Sequence, residues 1–140
     1  MVLKGSRHED ERGILTFNNA FDASEIKRIY TIQNHSTDFT RGWQGHTTEQ
    51  RWFAAVQGSF EIRVIVLNNA ETPDPELPET CHTLTSTTLD FLHVPAGCIT
   101  AIRALEEHSK MLVMSDYALG EIQDEMRFPL SYFNSGPQKI

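Results

Sequence analysis

Cysteine is nearly absent from this chain. Cys81 and Cys98 are the only two in 140 residues, with no CxxC pair and no Cys/His cluster, so neither a disulfide framework nor a zinc knuckle is indicated. A cationic surplus is missing as well: 19 acids face 12 lysines and arginines, for a formal net charge of −7. Nucleic acids and anionic membranes select basic faces, so neither is expected as a partner. Long apolar runs are also missing. The opening MVLKGSRHEDERG holds no hydrophobic leader-type stretch and no segment approaches bilayer-spanning length, so a cytoplasmic chain with free thiols is expected. Internal repeats are absent. The length suits one domain over 1–140, with a core that buries about two thirds of the unfolded surface.

What is present is β-forming sequence. Segments rich in Val, Ile, Thr, Phe and Tyr recur at 12–17, 25–33, 51–57, 59–67, 82–88, 89–95, 100–105 and 110–117, separated by turn residues such as Gln57-Gly58 and Ala96-Gly97. The pattern predicts an all-β antiparallel sandwich or barrel. NNAETPDPELPET at 68–80 holds Pro73, Pro75 and Pro78 among four acids; it reads as an exposed loop between two hairpins. A short helical segment is expected only at EIQDEMRF (121–128), before Pro129.

RGWQGHTTEQ at 41–50 is the stretch that carries chemistry. If residues 44–56 are extended, side chains alternate between two faces. Gln44, His46, Thr48, Gln50, Trp52, Ala54 and Val56 then share the lumen side of a barrel, and Glu49, Arg51, Phe53 and Ala55 point away. The residues resemble a cupin frame. A cupin's first motif is a glycine, His-x-His, an acid four residues on and a later glycine; its second is Pro-x-Gly followed by a histidine. Here Gly42 leads to Gln44-Gly45-His46, then Gln50 and Gly58, and Pro95-Ala96-Gly97 leads to Thr100. Amides and a hydroxyl replace three of the four ligands. Transition metals need three or four imidazole, carboxylate or thiolate donors, so no metal and no cofactor are expected. Glu49 joins such a site only if the strand is bulged.

A narrower resemblance covers residues 8 to 118. DERG at 10–13, IKRIY at 26–30, RGWQGH at 41–46, VQGSFEIRVI at 56–65, VPAG at 94–97 and MSDY at 114–117 follow in the order seen in the sugar 3,4-ketoisomerases. These are the relatives of WxcM-like C-terminal domains and, more distantly, of dTDP-4-dehydrorhamnose 3,5-epimerase. The resemblance implies an RmlC-like cupin jelly roll, a homodimer, and a metal-free isomerase or epimerase acting on a dTDP-linked 4-keto-6-deoxy sugar. It also implies two histidines as the acid/base pair, of which only His46 is matched. Gln44 stands at the other position and cannot carry a proton.

The implied catalytic set is therefore His46 as base, Tyr30 as proton donor and Gln44 as a positioning amide. Arg41 and Arg12, each before a glycine, are the candidates for the diphosphate, because guanidinium forks match phosphate oxygens. Gln50, Trp52, Thr100 and Arg103 complete the expected substrate contacts. The rival reading is a cupin that binds sugar nucleotide or carbohydrate without transforming it, and Gln44 is its main support.

Overall fold

The structure, a computed structural model, describes residues 1–134; residues 135–140 of the expected 1–140 unit lie outside the described residues. The strands are β1 (Val2–Leu3), β2 (Ser6–Asp10), β3 (Gly13–Phe17), β4 (Arg28–Gln33), β5 (Thr40–His46), β6 (Arg51–Gln57), β7 (Ser59–Val66), β8 (Thr80–Thr85), β9 (Phe91–Val94), β10 (Cys98–Ala104), β11 (Lys110–Ser115) and β12 (Glu125–Arg127). One five-stranded sheet runs β1-β9-β6-β11-β4 and the other β12-β5-β10-β7-β8, while β2 and β3 form a separate ribbon. Every pairing is antiparallel, as the sequence pattern predicts. Among the described residues no helix is long and apolar enough to cross a membrane.

Period-two alternation assigns each strand its inner and outer side chains. Phe53, Ile62, Leu92, Met111 and Val113 fill the space between the sheets. The outer face of the first sheet carries Trp52, Ala54, Phe91 and Met114, with Phe21 and Ile26 packed over them. Trp43, Ile65, Ile99 and Ala101 form the outer face of the second sheet. At the β6–β7 turn Gly58 has φ +70, a conformation that suits glycine because it has no Cβ. The turn reverses the chain between sheets, so the core is closed at this end.

Two expectations are corrected. Residues 121–128 form no helix: Glu125–Arg127 is a strand paired with β5, Met126 opposite Gly45. Its amides complete the β5 edge and Met126 joins the Trp43 cluster; edge pairing and burial outweigh local helix propensity. The 68–80 stretch is a loop, yet it joins β7 to β8, which pair with each other, rather than separating two hairpins. Its Pro73 is buried, with the Tyr132 hydroxyl donating to the Pro73 carbonyl at 2.7 Å.

Candidate active site

β5 and β10 run unusually close together because β5 carries glycine where they meet. A Cβ on Gly45 would lie 2.0 Å from the Cys98 carbonyl oxygen, a separation no side chain tolerates. Residues directly opposite in an antiparallel pair point to the same side. Gln44 faces Thr100 and His46 faces Cys98, and a register shift between Thr100 and Ile102 brings Arg41 opposite Ile102. These side chains line a cavity of about 530 Å³ between the sheets, shared with Tyr30, Phe53 and Pro95. The volume falls in the range of small-ligand sites. A second cleft of about 440 Å³, bounded by Arg28 and residues 118–120 and 122–125, meets the cavity at His46, Glu49 and Arg51.

His46 ends β5, and four residues carry the chain across to the other sheet, where β6 begins at Arg51. One carboxylate holds this corner. Asp124 Oδ2 accepts the amides of Thr48 at 2.8 Å and Glu49 at 2.7 Å, and Oδ1 meets His46 Nδ1 at 2.9 Å. Burial alone would raise the Asp124 carboxyl. The Glu49 amide, the His46 ring and the Thr48 amide together outweigh it and hold the group below the ordinary carboxylate range. An ionised Asp124 accepts only, so Nδ1 donates, and in the neutral ring Nε2 is the nitrogen left with the lone pair. The His46 side chain is 10% exposed and that of Asp124 8%.

Beside the dyad, Glu49 Oε2 lies 3.8 Å from His46 Nε2, with its side chain 8% exposed. The same oxygen accepts from Arg51 Nε, and the other arm of Arg51 donates to the Tyr30 hydroxyl. The Arg28 guanidinium lies 4.6 Å from the Tyr30 ring centroid. Gln44 Nε2 donates to Glu125 Oε2 at 3.1 Å. Hydrogen bonding to Arg127 is the main cause holding the Glu125 carboxyl below its usual range. Thr100 Oγ1 is 3.4 Å from the Gln44 carbonyl. Arg41 has no carboxylate partner among the described residues; its guanidinium lies 5.9 Å from the Phe39 ring centroid.

His46, Tyr30, Gln44, Arg41 and Thr100 thus converge as the sequence predicts, and four expected contacts do not. The corner at 47–50 breaks the alternation counted through 44–56. Arg51 and Phe53 therefore face the cavity, while Trp52 lies on the opposite face of its sheet, stacked on His93 at 4.9 Å. Gln50 is tied to that outer side, bonded to His93 at 2.7 Å and to Asp116 at 3.2 Å. Arg103 alternates with the inward Ile102 and lies 3.6 Å from Glu61, outside the cavity lining. Arg12 sits at the β2–β3 turn, 82% exposed and paired with Asp10 at 2.7 Å. Asp124 is missed from sequence, and Glu49 and Arg51 are placed there on the wrong face; the polar run Thr47-Thr48-Glu49-Gln50 was the one available sign of a corner.

His46, Glu49 and Asp124 place donor atoms within 4.8 Å of one another, close enough to ask whether they suit a cation. They suit one poorly. Both Asp124 oxygens already serve the corner amides and Nδ1, and the Arg51 guanidinium neutralises Glu49 and repels a second positive charge.

Two antiparallel five-stranded sheets around a ligand-sized cavity, with polar side chains on the inner faces of β5 and β10, make this an RmlC-like cupin. More narrowly, the chain belongs to the WxcM-like, C-terminal family (FdtA), which it matches over residues 2–131. QdtA, a sugar 3,4-ketoisomerase from Thermoanaerobacterium thermosaccharolyticum in complex with TDP, superposes with a TM-score of 0.71 at 19% identity, over 100% of this chain and 96% of that one. A 3,4-ketoisomerase from Helicobacter canadensis gives 0.64 at 24% identity, over 89% and 90%. ChmJ, a 3'-monoepimerase from Streptomyces bikiniensis in complex with dTDP-quinovose, gives 0.73 at 15% identity, over 99% and 75%. Among curated proteins, none matches.

Proposed function

We propose that the chain is a metal-independent isomerase or epimerase of a dTDP-linked 4-keto-6-deoxy sugar. The observation that carries this reading is the His46–Asp124 dyad, whose histidine lines a cavity of about 530 Å³ and has Glu49 3.8 Å from Nε2. A carbon next to a carbonyl loses its proton when a base stands in reach and a donor stabilises the oxygen that gains charge. His46 Nε2 supplies the base and Asp124 balances the imidazolium that forms. Tyr30, held by Arg51, supplies an O–H from the other sheet. Arg41, with no acidic partner among the described residues, is the group for the diphosphate. QdtA and ChmJ, similar in fold, are described in complex with TDP and dTDP-quinovose, which supports a sugar nucleotide as ligand.

The test is incubation with dTDP-4-keto-6-deoxyglucose in deuterated water, followed by NMR. Deuterium is expected at the carbon next to the carbonyl, with a new keto-sugar product. Nucleotide binding without deuterium uptake would favour the second reading, a sugar-nucleotide-binding cupin. That reading has one observation behind it: the Gln44 amide, which has no titratable proton, stands at a wall position and donates to Glu125.

The homodimer belongs to the same proposal. Ile14 and Leu15, 56% and 59% exposed on the β2–β3 ribbon, are large apolar side chains on a two-stranded unit that is marginal alone. Packed on a second copy, the ribbon buries them and carries Arg12 to the partner's ligand. A dimer mass in analytical ultracentrifugation is expected; a monomer across the micromolar range would remove both the dimer and the role of Arg12.

A further inference from the structure

We infer that Glu49 is the second proton carrier of this site, doing from the β5–β6 corner what Gln44 cannot do from β5. The inference rests on the isomerase reading and specifies how it operates. Moving a carbonyl from C4 to C3 takes two kinds of proton transfer: the C3 proton leaves and a proton returns at C4, while O4 gains a proton and O3 loses one. One group serving the carbons and a second serving the oxygens completes the exchange with no net change in electrons or protons. His46 alone leaves the oxygen transfer without a carrier.

Glu49 meets the requirements of position. It lines the cavity, and its Oε2 stands 3.8 Å from His46 Nε2. That is too long for a direct hydrogen bond, but an oxygen about 2.8 Å from each fits between them. Arg51 and the Asp124-bound amide fix the residue from two sides, whereas Oε1 takes no hydrogen bond from any described residue. An enediol whose two oxygens lie side by side can pass a proton to Oε1 from O3 and take one at O4, while His46 Nε2 works at the carbons. The other candidates fit less well. Gln44 has no titratable proton, and Tyr30, bonded to Arg51, serves as an O–H donor to the oxygen that gains charge rather than as the group that relays its proton. Corner geometry is what makes this visible, since straight alternation points Glu49 away.

Glu49→Gln and Glu49→Asp, assayed with dTDP-4-keto-6-deoxyglucose in deuterated water, test the inference. For Glu49→Gln, product formation is expected to fall about 100-fold, while deuterium uptake at C3, driven by His46, persists within a few-fold. Glu49→Asp is expected to recover part of the product rate. The ratio of exchange to product reports on folded protein only, so partial misfolding leaves it unchanged. Equal losses of exchange and product, with no recovery by aspartate, would make Glu49 a structural partner of Arg51 and overturn the inference. So would unaltered turnover in Glu49→Gln. If the unsubstituted protein binds TDP but neither exchanges nor converts the sugar, the isomerase reading itself fails; an active parent with an indifferent Glu49 variant removes only the role of Glu49.

Discussion

Replacing His46 with asparagine is expected to lower turnover of the keto-sugar about 10⁴-fold, the upper end of what one acid/base group contributes, with TDP affinity unchanged. Asparagine matches the near half of the imidazole, and its amide N–H can still donate to Asp124 Oδ1, so the corner at 47–50 keeps its anchor. It offers no lone pair at the place of Nε2 and no titratable proton. Arg41 lies at the other end of β5 and keeps its orientation through the pairing with Ile102, so nucleotide binding has no reason to weaken. Deuterium uptake, product formation and TDP titration on one preparation check this. Turnover within tenfold of the parent would remove His46 from the mechanism, and parallel loss of TDP binding would make the histidine structural.

The parts of this molecule legible in sequence are those governed within one strand. Alternation along β5 placed Gln44 and His46 on one face, and the cupin-type Pro-x-Gly frame pointed to Thr100, which the register sets opposite Gln44. The proline-rich stretch and the Gly58 and Gly97 turns were legible because backbone restriction is local. Counting failed where the chain leaves a sheet. The residues at 47–50 belong to no strand, so the parity carried from His46 to Trp52 had nothing to preserve it. Glu49 and Arg51 consequently exchanged sides with Gln50 and Trp52. Asp124 was invisible for another reason: it stands 78 positions from His46, in a segment whose propensity favours helix and whose structure is decided by the unpaired edge of β5. Arg12 was flagged by its turn motif, which marks a tight reversal at Gly13 as readily as a ligand contact.

Asp124→Asn is expected to cost about 10³-fold in turnover, because one carboxylate performs two tasks that an amide cannot share. The carboxylate accepts from His46 Nδ1 on one oxygen and from two corner amides on the other. Asparagine has one accepting oxygen. If it faces the amides, its N–H₂ points at Nδ1 and favours the tautomer with the proton on Nε2, which removes the base. If it faces Nδ1, the N–H groups of Thr48 and of the buried Glu49 meet a donor, and the corner carrying Glu49 loosens.

The acid response separates this from a general loss of packing. The folded-state carboxyl lies below its ordinary range, so its contribution to stability is complete above about pH 4 and is lost as pH falls through the depressed folded value. Denaturant titrations from neutral pH downward should therefore show the gap between parent and variant narrowing only below about pH 4. A gap that stays constant into acid would mean that the charge on Asp124 is not what holds the corner. The tautomer argument would then lose its footing, because it requires an ionised acceptor behind Nδ1 at the pH where the sugar reacts.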